Sequence, residues 1–240
     1  MHYVLCADFS MTTSSVLSDD STCQEPVWQR GERLDPDEYD LSRLVFISET
    51  EHMHPFPDFS RDGHGCLVFS ERLKQVLANG GIDNIDYYPA SIVEYGETRP
   101  QPGYYAANII GLIQCVDRNA ADFELDEDGD IESIEELVID ELIADDRLIF
   151  RLEEAPRIVL IHERIKKTIE DAGITGLQMI RPDEWDGFDG KKINTKLIHL
   201  GDGCMRTPGK NTDLPPYAEG RCIFLSDSWP ATTRTAHSLA

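Results

Sequence analysis

Residues 70–89 read SERLKQVLANGGIDNIDYYP, and residues 162–181 read HERIKKTIEDAGITGLQMIR. The same plan runs through both stretches. Ser70 is suited to an N-cap, because its hydroxyl can accept an orphan backbone N–H. Glu71 follows in the first turn, where the helix dipole favours an anion. Leu73, Val76 and Leu77 recur at helical spacing. Gly80 and Gly81 stop the helix, and Ile82, Ile85 and Tyr87 lead into a strand. In the second stretch RIVLI (157–161) is a strand. Ile161, Ile165, Ile169 and Ala172 then share one helical face, Gly173 ends it, and Ile174, Leu177 and Met179 run on to Pro182. Glu71, Arg72, Lys74, Gly81 and Ile82 reappear as Glu163, Arg164, Lys166, Gly173 and Ile174. Every repeated residue has a structural reason to recur. The glycines punctuate, the apolar positions pack, and Glu163 with Lys167 is expected to pair across one exposed turn. The repeat predicts a scaffold of two related strand–helix–strand units.

Strands are expected at HYVLCA (2–7), LVFIS (44–48), CLVF (66–69) and RLIFRL (147–152). The apolar run YYAANIIGLIQCVD (104–117) is long enough for a central strand. Loops are expected at 10–24 and at 51–65, where Pro and Gly cluster. Residues 131–142 stay ambiguous: Ile131, Ile134, Val138 and Leu142 fit a helical stripe, whereas ELVID fits a strand. Past Trp185 glycine and proline dominate, and the end of the chain reads as a frayed tail. The fold class expected is α+β, with the two units packed on mixed β-sheet and joined by irregular loops. The expected organisation is a β-rich segment over 1–60, a core with the internal duplication over 61–185, and an irregular extension over 186–240.

The 240 residues include 22 Lys and Arg against 45 Asp and Glu, a formal charge of −23. Such a surface repels nucleic acid and anionic lipid and attracts cations. Cys6, Cys23, Cys66, Cys115, Cys204 and Cys222 form no CxxC pair, and MHYVLCADFS lacks the basic and apolar regions of a secretory signal. No run is long enough to span a bilayer. These features predict a cytoplasmic protein with reduced thiols and no membrane partner.

The ordered series SERLK (70–74), YYP (87–89), YYAANIIG (104–111) and GITG (173–176) resembles a bacterial immunity-protein family of polymorphic toxin systems, catalogued as a domain of unknown function. The resemblance covers roughly residues 60–185. It implies a protein without catalysis that binds a cognate toxin and blocks it. In one place the chain departs from the pattern. His162 stands where the family often repeats a serine, and a weaker second cap is expected.

From residue 122 to residue 146 there is no Lys or Arg. Within that run Glu124, Asp126, Glu127, Asp128, Asp130 and Glu132 form a candidate docking surface for a basic partner, because clustered carboxylates steer and hold cationic surfaces. With the family resemblance, that partner is a toxin whose active site would be occluded. Two alternatives stand beside this reading. One is a solvated acidic loop. The other is a calcium-binding or metal-dependent protein, since ELDEDGDIESIE (124–135) approaches an EF-hand loop, although Glu124 occupies a position that prefers Asp. His52, His54, His64 and Cys66 could hold zinc, but their spacing fits no common motif. The chain has no G-x-S-x-G, P-loop or H-E-x-x-H motif, so neither a catalytic residue nor a cofactor is assigned. HPFPDF (54–59) offers loop aromatics that either anchor a partner or pack on their own domain.

Overall fold

Strand β5 (Leu67–Ser70) is buried along its whole length, and its sequence is apolar on both faces for that reason. Cys66 and Val68 point into one core, Leu67 and Phe69 into another. The first core is the interior of a closed barrel. Its strands run β2 (Ser15–Ser18), β3 (Leu44–Ser48), β6 (Ile85–Val93), β7 (Gln101–Ile109), β5 and β4 (Phe59–Asp62), which returns to β2. Val27, Trp28, Phe46, Val68, Ile92 and Ala106 fill it. The computed structural model describes residues 1–8, 15–18, 26–42, 44–48, 55–127, 129 and 131–187.

The second core lies between the barrel and a five-stranded sheet. That sheet has the order β13 (Leu177–Ile180), β1 (His2–Ala7), β12 (Val159–His162), β11 (Ile149–Leu152) and β8 (Leu112–Ile113). Two helices complete this core, α1 (Glu71–Asn79) and α3 (Glu163–Asp171). Leu73 and Leu77 of α1 and Ile165 and Ile169 of α3 meet Leu67, Phe69, Leu5 and Ile161. Burying one such side chain contributes about 1.5–3 kcal/mol, so this layer holds the two sheets together. The fold is α+β, with mixed sheets and short helices. Among the described residues no helix is long and apolar enough to cross a membrane.

Around each of these helices the strand pairing is alike. β5 and β6 both pair antiparallel with β7, and β12 and β13 both pair antiparallel with β1. Phe69 faces Tyr105 and Tyr87 faces Ala107. Ile161 faces Tyr3 and Met179 faces Leu5. Lys74 Nζ lies 3.8 Å from the Tyr105 ring centroid, and Lys166 Nζ lies 5.1 Å from that of Tyr3. Arg72 Nη2 donates to the carbonyls of Ala172 and Gly173 at the end of α3. Arg164 approaches Gly81 at the end of α1.

Several local expectations change. The run 104–117 is not one strand: β7 stops at Ile109, Gly111 turns the chain with φ 105°, and β8 joins the other sheet. The expected loops contain barrel strands, Ser15–Ser18 in one and Phe59–Asp62 in the other. Short strands at barrel edges carry little periodicity to read. Phe56 and Phe59 are buried in the two cores rather than displayed. His162 does cap α3, because its Nδ1 accepts from the Arg164 N–H at 3.1 Å, as Ser70 Oγ does from the Leu73 N–H. The exposed pair on α3 is Lys166 with Glu170, not Glu163 with Lys167. Cys6, Cys66 and Cys115 are all buried, and Cys23, Cys204 and Cys222 lie outside the described residues.

Candidate functional site

The acidic run folds as a β-hairpin. Strands β9 (Asp122–Leu125) and β10 (Ile131–Glu136) pair antiparallel, with Leu125 opposite Ile131 and Phe123 opposite Ile134. Phe123, Ile131 and Ile134 pack against a third core, with Val4, Phe150 and Leu160 from the outer face of the five-stranded sheet. Strict alternation would part Ile131 from Ile134, three positions on; the pairing is irregular between Ile131 and Ser133, as a β-bulge makes it. Glu124 and Glu132 are left exposed, as are Asp126 and Glu127 at the turn. The Gly129 N–H donates to the Asp126 carbonyl at 3.2 Å, which closes that turn. Ser133 Oγ donates to Glu124 Oε2 at 3.3 Å. Four of the six expected carboxylates are therefore brought to one exposed hairpin. Asp128 and Asp130 lie outside the described residues. Beside the hairpin is a groove of about 390 Å³, lined by Ser133, Ile134, Glu135, Arg157, Asp186 and Gly187.

The ambiguous stretch resolves into strand, bridge and turn. After β10 the Val138 carbonyl accepts from the Asp117 N–H at 2.9 Å, and Ile139 bridges to Val116. A single helical turn, α2 (Glu141–Ala144), follows, with Asp140 as its cap. The stripe expected from Ile131 to Leu142 is not one face: Ile134 is buried, whereas Leu142 is 92% exposed.

Glu141 fastens α2 to the start of the chain. Its Oε1 accepts from the His2 N–H and its Oε2 lies 2.8 Å from His2 Nδ1. His2 is fully buried, its Nε2 is 2.8 Å from the Arg147 carbonyl, and its ring meets Phe150 and His162 edge-on. Burial alone would raise the Glu141 carboxyl, but the hydrogen bonds and charge of His2 outweigh it and lower the value. Burial, then the nearby N-terminal amine and His2, lower His162. This favours the neutral ring that a cap acceptor requires. Burial pushes the Cys115 thiol up to about 12, with Glu154 and Glu141 adding to it, so it is a poor nucleophile.

The metal alternatives find little geometry to use. Glu124 and Glu135 sit on two strands of a hairpin, whereas an EF-hand loop is set between helices. Cys66 points into the barrel core and His64 is exposed, and His52 and His54 lie outside the described residues. Among the described residues no group of three or more His, Cys, Asp or Glu side chains is placed to hold a metal.

Sequence reasoning missed Asp58. Its Oδ1 accepts from Ser70 Oγ at 2.7 Å, and its Oδ2 from Arg72 Nη1 at 2.9 Å and from the Thr175 N–H at 3.1 Å. This carboxylate ties the start of α1 to the turn after α3. It also missed Arg151, which is fully buried, donates to the Pro156 and Gly65 carbonyls, and is lowered to about 10 by burial and by Arg61. Both are structural ties between segments remote in sequence, and nothing local marks them.

A comparison with curated proteins finds no match. The model of the immunity protein family (Imm11) matches residues 8–181, well over half of the chain. The match begins just after β1 and runs through both helices to the end of β13, reaching further toward the N-terminus than the 60–185 stretch that the motifs cover. The chain belongs to the immunity protein family Imm11.

Proposed function

We propose that this protein protects its producer by binding a cognate toxin and occluding the toxin's active site with the acidic face of the β9–β10 hairpin. Membership of an immunity family supports toxin binding. The observation that carries the surface is the exposure of Glu124, Asp126, Glu127 and Glu132 on one hairpin, in a stretch from 122 to 146 that holds thirteen acidic residues and no Lys or Arg. A toxin that acts on a polyanionic or otherwise negatively charged substrate has a basic cleft, and an acidic hairpin competes for it. Asp128 and Asp130 belong to the same proposed face. The protein itself performs no chemistry in this reading; it acts stoichiometrically.

The scaffold below the hairpin we read as an internal duplication. The spacing of 92 residues between the two helix phrases also separates Phe69 from Ile161 and Tyr87 from Met179, which face corresponding positions on β7 and β1. One strand–helix–strand unit closes over β7 and the other over β1, a strand that the N-terminal segment supplies.

Co-purification with the product of the adjacent open reading frame, followed by a growth-rescue assay, tests the reading. Reversing Glu124, Asp126, Glu127 and Glu132 to Lys is expected to abolish rescue with the melting temperature nearly unchanged. Full rescue by that variant removes the hairpin from the interface.

A further inference from the structure

Leu142 is 92% exposed and its neighbour Ile143 is 51% exposed, both on the single turn α2. A lone exposed leucine needs no explanation. This pair stands out because of how firmly the turn beneath it is built. Asp140 Oδ1 accepts from the Leu142 N–H at 2.9 Å, and the Asp140 N–H donates to the Cys115 carbonyl at 2.8 Å. Glu141 is held by the backbone and ring of the buried His2. Ala144 is fully buried in the third core. Asp145 ends the turn at φ 48°, the one non-glycine residue at positive φ among the described residues. Backbone of that kind costs roughly 1–3 kcal/mol and persists only where surrounding contacts enforce it. The turn is thus fixed at both ends, and what it presents to solvent is two adjacent aliphatic side chains.

The charge around the pair says what it fits. Along the chain Asp140, Glu141, Asp145 and Asp146 flank it, with Arg147 next, and the N-terminal amine lies 3.5 Å from Glu141 Oε2, so carboxylates still outnumber cations around the turn. A second copy of this chain, at −23, would bring the same carboxylates face to face and be repelled. An apolar socket rimmed by Lys or Arg suits the pair in both respects. We propose that Leu142 and Ile143 are the apolar anchor of the toxin interface, inserting into such a socket on a cationic toxin. The inference rests on the toxin-binding reading and extends it from the hairpin to the end of the same connector. The anchor is pre-organised, so it loses little conformational freedom on binding, which is where affinity is gained. Flanking carboxylates discriminate among partners and speed encounter.

The test uses the full chain and the toxin encoded by the adjacent open reading frame. Leu142→Ser with Ile143→Ser is expected to lower the melting temperature only slightly, because Leu142 is almost wholly exposed and Ile143 half exposed, and to weaken toxin binding at least about tenfold. Leu142→Met, which keeps an apolar side chain, is expected to bind within a few-fold of wild type. If wild type binds and rescues but the double-serine variant does both equally well, the anchor is wrong and toxin binding stands. If the wild-type chain neither binds nor rescues, the reading beneath the anchor falls and the anchor with it. If light scattering shows a dimer that the double substitution dissociates, the pair is a self-association face and the proposal is overturned.

Discussion

Asp58 Oδ2 lies 2.9 Å from Arg72 Nη1. Around that contact Ser70 and Thr175, which are 105 positions apart in the chain, donate to the same carboxylate. Asp58 thus completes the cap of α1 and fastens the turn after α3 to the barrel. Asp58→Ala strips these donors of their acceptor and leaves the half-exposed Arg72 guanidinium with backbone carbonyls but no carboxylate. The expected loss is about 2–4 kcal/mol by chemical denaturation, and Asp58→Asn is expected to lose less. An Asp58→Ala loss below about 0.5 kcal/mol would show that the hub is decorative.

Gly176 is a second structural point with a sharp test. Its φ is 87°, and a Cβ built there would lie 2.3 Å from the Phe59 carbonyl oxygen, a backbone atom that cannot step aside. Gly176→Ala is expected to destabilise by at least about 2 kcal/mol, from left-handed strain and from displacement of β4. Circular dichroism melts of the two proteins decide it.

The pH dependence follows from His162. Its folded value is lowered from the ordinary 6.5, so the neutral cap is favoured in the folded state. A lowered value means that the contribution is fully present above about 6.5 and is lost as pH falls through the folded value. His162→Ser keeps a cap acceptor but cannot titrate. Relative to wild type, the variant is expected to gain stability steadily from pH 7 to pH 5. Parallel stability profiles for the two proteins would contradict this.

Association should carry the mark of the acidic face. If the hairpin meets a basic cleft, the association rate falls by about tenfold or more between about 0.05 M and about 0.5 M NaCl, while dissociation changes little. The four-lysine variant should lose that salt dependence. A salt-independent rate for the wild-type complex would place the contact on another face.

What the amino-acid order settled was local. Ser70, the 73/76/77 spacing and Gly81 specify a helix wherever the chain goes, and the second phrase does the same down to Gly173. The strands at 2–7 and 44–48 were legible because their apolar residues are consecutive or alternate. Carboxylates at 124, 126, 127 and 132 without basic neighbours already implied an exposed face. The order did not say whether 131–142 was helix or strand, because Ile131, Ile134, Val138 and Leu142 fit a helical stripe while ELVID fits a strand. The third core decided that, by accepting Phe123, Ile131 and Ile134 from a hairpin and leaving Leu142 outside. Tertiary structure alone set β1 between β12 and β13, closed the barrel through β2 and β4, and turned Asp58 and His2 into ties to Thr175 and Glu141. The β2–β4 pairing spans 46 positions and the other contacts more than a hundred, and a pairing of that kind is fixed by which buried faces and unsatisfied polar groups meet when the layers pack, information that no window of neighbouring residues contains.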